Sequence, residues 1–153
     1  MFLVQGIKLS ELNVGFMVKP ELLEAYKRTQ FIVDLPDRQT IICHGQRNGV
    51  IEQILAEHAA KTGAFITAHN PRSQRLSDAE NRERHRLLIA DVKKQGFAYL
   101  TGSGIGEDHG WPAEESLLVI GTNHDQAIAL GTKHGQLAIV WVETGKAAQT
   151  VLC

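Results

Sequence analysis

The 153 residues, 43% apolar and 22% charged, are about one domain long and can bury a single well-made core. Their 16 Lys and Arg against 17 Asp and Glu leave a net charge of -1, which argues against a general polyanion binder and an acidic tail. Cys43 and Cys153 are too few for a disulfide framework or a four-cysteine zinc site, and no apolar run approaches the roughly 18 residues of a membrane span.

Lys8 and Glu11 interrupt the N-terminus too early for a secretory segment, so the chain reads as cytoplasmic, with no membrane partner. Residues 1–16 are expected to be an extension or an added strand, because Met17 precedes VKPELLEAYKRT where a start would be natural. Residues 17–153 are then one globular domain. Pro20 suits the first turn of a short helix that places Leu22, Leu23 and Tyr26 on one side. Residues 29–35 and 40–43 flank the turn signal Pro36-Asp37, which predicts a hairpin. Asn48 can cap a helix carrying Val50, Ile51, Ile54 and Leu55, with Gly63 expected at its left-handed end. A strand over 64–68 follows.

Ser77 and Glu80 form a capping box that opens a helix running to about Gln95 and closed by Gly96. A strand over 97–101 leads into GSGIGEDHG, read as a lid or mobile loop because it follows a strand yet opens no helix. A strand over 116–121, a helix capped by Thr122 or Asn123, a strand over 137–143 and a short last strand near 150–152 complete the chain. The fold class is therefore α/β or α+β, a single domain with a mixed sheet, two βαβ crossovers and hairpins at both ends.

Charge is unevenly placed: residues 72–94 hold seven basic and four acidic side chains, and residues 95–153 hold two and six. The apolar stripe Leu88, Val92 of the long helix continues backward onto His85 and Asn81, so two polar side chains point inward at its start. The natural partner is the loop His69, Asn70, Arg72, Ser73, at the carboxyl end of a strand, where open sheets gather their sites. Arg72 and Arg84 suit a carboxylate or phosphate, whereas Arg82 and Arg86 read as a solvated face. Trp111, Glu114, Glu115 and Ser116 precede one strand and Gln136 precedes another. If that strand pair runs antiparallel to 64–68, Asn70, Ser73, Asn81, Glu114, Ser116 and Gln136 converge on one edge. Glu114 or His69 could serve as a general acid or base. No HExxH, HxH or Cys/His finger spacing occurs, a meeting of His69 with His109 is the only metal pairing the order suggests, and neither Ser103 nor Ser116 lies in a nucleophile elbow, so no metal or other cofactor is predicted.

AYKRTQFIV near 25–33, FITAHNPRSQRLSDAENRERHRLL at 65–88, WPAEESLLVIG at 111–121 and GQLAIVW at 135–141 resemble the uncharacterised bacterial family known as domain of unknown function 3293. Thr67, Ala68, Asn70, Pro71, Ser73, Asn81, Trp111, Glu114, Ser116 and Gln136 stand at its pattern positions, and His69 replaces a usual aromatic residue. The resemblance implies no activity. The residues themselves point to a module binding a small polar or anionic molecule through Asn70, Arg72, Ser73, Asn81, Arg84, Trp111, Glu114, Ser116 and Gln136. A small enzyme at the same place and a structural or interaction protein are the alternatives. Nucleic acid is disfavoured by a short basic segment and few aromatic platforms, and the sequence carries no signal for an oligomeric state.

Overall fold

The computed structural model describes residues 24, 25, 27–107 and 112–153. The proposed extension, the start at Met17 and most of the first helix lie outside them. The described strands are β1 (Gln30–Asp34), β2 (Gln39–Ile42), β3 (Thr62–Thr67), β4 (Ala98–Ile105), β5 (Glu114–Ile120), β6 (Ala138–Glu143) and β7 (Gln149–Leu152). The helices are α1 (Gly49–Glu57), α2 (Asp78–Lys94) and α3 (His124–Lys133). All strands join one seven-stranded sheet in the order β2-β1-β4-β5-β3-β6-β7, an α+β architecture with a hairpin at each end. No helix among the described residues is long and apolar enough to cross a membrane.

The two crossovers exist, yet the sheet is antiparallel throughout rather than mixed. β3 and β4 run the same way with β5 between them, and β5 and β6 run the same way with β3 between them. Each βαβ unit is thus split by a strand of the other. Helical spacing and caps reveal a crossover, but whether its two strands touch is a tertiary choice.

Both faces of the sheet are covered. On one, Ile51, Ile54 and Leu55 of α1 pack on Phe31, Phe65, Leu118 and Val140, all buried, with Phe31 and Phe65 edge to face at 5.5 Å. On the other, Leu88 and Val92 of α2 and Ala127 and Leu130 of α3 cover Ile66, Leu117, Val119 and Ile139. Burying each such large apolar side chain contributes about 1.5–3 kcal/mol.

The expected caps form. Asn48 accepts from the amides of Val50 and Ile51, Ser77 and Glu80 close their capping box, and Asn123 with Gln126 forms another. Two glycine readings are corrected. Gly63 does not end α1, whose left-handed residue is Ala59 at φ 53; it lies in β3, where an added Cβ would stand 2.8 Å from the Val119 carbonyl oxygen. Gly102 and Gly104 are not in a lid. They belong to β4, paired with both β1 and β5, and a Cβ on Gly102 would strike the Ile32 carbonyl. Residues 108–111, the end of the expected loop, lie outside the described set.

Candidate functional site

The chain leaving β3 turns abruptly. Asn70 (φ 45, ψ 59) and Arg72 (φ 55, ψ 30) are left-handed, and Ser73 follows at φ 59, around a short 3-10 turn over Pro71–Ser73. A non-glycine residue in this region costs about 1–3 kcal/mol, so the surroundings must hold it.

Asn81, on the inner stripe of α2, does much of the holding. Its Oδ1 accepts from the Asn70 amide at 2.9 Å and its Nδ2 donates to Asn70 Oδ1 at 2.9 Å. Asn70 Oδ1 also accepts from the Leu76 amide at 2.9 Å, and Asn70 Nδ2 donates to Glu114 Oε1 at 2.8 Å. From the other side, the Arg72 amide donates to the Gly135 carbonyl at 2.8 Å. Gly135 ends α3 at φ +72, and a Cβ there would stand 2.6 Å from Pro71 Cβ, so only glycine allows both the turn and the seat for Pro71. Gln136 Nε2 donates to the carbonyls of His69 (3.3 Å) and His134 (3.1 Å).

β5 is antiparallel to β3, with Thr67 opposite Ser116, so the expected edge forms. Asn70, Asn81, Glu114 and Gln136 converge there, each at most 5% exposed. Ser116 is also buried, but its hydroxyl donates to the Glu114 carbonyl at 2.9 Å. Ser73 is half-buried in the turn, while Arg72 and Arg84 are exposed. Arg84 lies on α2, three residues after Asn81. Arg86, set aside as solvated, is exposed and pairs with Glu83 at 2.7 Å. Trp111 and His109 lie outside the described residues.

A second group at this end carries no sequence motif. His69 after β3, His85 on α2 and Glu115 on β5 bring one ligand atom each within 4.8 Å of one another. His69 Nε2 stands 3.5 Å from Glu115 Oε2, and the two rings meet edge-on with centroids 6.1 Å apart. Burial pushes the pKa of His69 below the ordinary imidazole value, against the Glu115 carboxylate that raises it and with a smaller push from His85. Burial does the same to His85, again opposed by Glu115. The His69–Glu115 contact therefore joins a neutral ring to a carboxylate. Each member carries its own signal in the sequence, His85 in its inward position one turn after Asn81, His69 in the loop after one strand and Glu115 just before another, but nothing in their spacing joins the three.

No curated protein and no solved structure matches the chain. Residues 66–139, which contain every residue of this site, match the model of the family described as Protein of unknown function (DUF3293), the family that the blocks at 65–88, 111–121 and 135–141 resemble.

Proposed function

We propose that the chain binds a small anion bearing a phosphate or carboxylate group, at the rim formed by the exposed Arg72 of the turn after β3 and the exposed Arg84 of α2. The observation that carries this reading is the exposure of two arginines around the polar start of α2: the backbone of Arg72, in the turn before it, is bonded to Gly135, and Arg84 lies on the helix three residues after Asn81. Both arginines are exposed. Guanidinium groups match such anions with two parallel hydrogen bonds. A left-handed Arg72 kept in place by buried polar groups adds support, because strain of this kind persists where a position matters.

On this reading Asn70, Asn81, Glu114, Ser116 and Gln136 frame the rim rather than touch the ligand, since their hydrogen bonds run to one another and to nearby backbone, although Gln136 Oε1 is buried with no hydrogen-bond partner among the described residues. A catalytic use of the same end finds its support at His69, a neutral buried imidazole beside the exposed Glu115, rather than at Glu114, whose carboxylate receives the Asn70 amide. The free thiols of Cys43 and Cys153 fit a reducing, cytoplasmic setting.

A thermal-shift screen of nucleotides, phosphorylated metabolites and dicarboxylates tests the proposal. At least one compound is expected to raise the midpoint of the parent, and Arg84→Ala, with an unchanged midpoint of its own, should lose that rise. An equal rise in Arg84→Ala and Arg72→Ala, or none in the parent, would remove the reading.

A further inference from the structure

We infer that His69, His85 and Glu115 form a binding site for one divalent first-row transition ion of the Zn2+ class. The inference stands apart from the anion rim, because none of its three ligands is an arginine or a member of the asparagine frame.

The geometry is close to what such an ion needs. Donor atoms bonded at about 2.1 Å in a tetrahedron lie about 3.4 Å from one another. His69 Nε2 and Glu115 Oε2 are already 3.5 Å apart, and all three donor atoms fall within 4.8 Å. Closing the remaining gap takes side-chain rotation of Glu115, whose side chain is 55% exposed. The other two ligands are better fixed. His69 is 8% exposed, with its amide donating to Thr67 Oγ1 at 3.1 Å and its carbonyl accepting from Gln136. His85 sits on the inner stripe of a helix whose start is locked by a capping box, and its Nδ1 is buried with no hydrogen-bond partner among the described residues.

Ligand chemistry narrows the ion. Two imidazoles and one carboxylate suit zinc, cobalt, nickel, copper or iron, whereas calcium and magnesium want oxygen donors. Three protein ligands leave a coordination position for water or for a donor atom of a bound molecule, the pattern of an open rather than a closed site. Glu115, on the solvent side, gives the ion a way in.

Untagged, chelator-stripped protein titrated with Co2+ and with Zn2+ tests the site. One equivalent is expected, with visible ligand-field bands of tetrahedral intensity for Co2+, displacement by Zn2+, and no response to Mg2+. His85→Ala and Glu115→Ala should each weaken Zn2+ binding about a hundredfold or more. His124→Ala, which alters an imidazole packed on Trp141, should bind as the parent does. Glu115→Ala changes an exposed side chain, so its result remains readable even if His85→Ala folds poorly. Retention of parental affinity in Glu115→Ala, or no stoichiometric Co2+ binding by the parent, would overturn the inference. Arg84→Ala separates the two sites: it should keep Zn2+ affinity while losing the anion response.

Discussion

The helices on the two faces of the sheet are attached in different ways. α1, nine residues long, buries Ile51, Ile54 and Leu55 against a wholly apolar face. α2, 17 residues long, buries only Asn81, Leu88 and Val92, and its first half meets the sheet through polar groups. Apolar contact is non-directional and supplies most of the stability, whereas hydrogen bonds from Asn81 to the amide and side chain of Asn70 fix direction. Apolar packing on both faces secures the fold, and the polar start of α2 sets the shape of a loop.

Truncating the apolar face should have the largest effect. Phe65→Ala removes a fully buried ring in edge contact with Phe31 and should cost about 3–5 kcal/mol in urea unfolding, with little change at the loop. Asn81→Ala should cost less, about 1–3 kcal/mol, because the buried Asn70 amide loses its acceptor. Its signature is local: amide exchange at Asn70 and Leu76 should accelerate well beyond what the global loss explains. If exchange rises uniformly instead, the division between the two faces fails.

The smallest effect is electrostatic and comes from the far end of the polar helix. Burial holds His134 below the ordinary imidazole pKa, opposed by Asp91, whose carboxylate accepts from its Nε2 at 2.7 Å. The unfolded chain then binds a proton more readily than the folded one, so this stability is complete above about pH 6.5 and is lost as the pH falls from there through the lower folded value. Urea midpoints on chelated protein should decline across that window, and His134→Gln should flatten part of the slope. A slope unchanged in His134→Gln would assign the decline to other groups.

Much of this difference was legible in residue order. Helix starts showed themselves because Asn48, Ser77 and Asn123 satisfy amides only a few residues away. Asn81 and His85 announced a polar patch by breaking an apolar stripe, and the convergence of Asn70 with Glu114 followed once β5 was taken as antiparallel to β3. What stayed hidden depends on neighbours remote in sequence. Gly102 looks like loop because glycine favours loops, yet its reason is the backbone of Ile32 passing alongside. The His69, His85 and Glu115 group has no linear spacing to find, since three different elements supply it.

The interleaving of the two split units also bears on how the chain is made. β3 finds its neighbours only when Gly63 meets Ile120 and Thr62 meets Glu143, so during synthesis from the N-terminus the apolar run Ala64, Phe65, Ile66 waits without a strand on either side. Local helices can form early, but the central sheet closes late and through long loops, which slows folding and leaves an adhesive edge exposed meanwhile. For the nascent chain, the strand that ends at the candidate site is the segment most in need of protection.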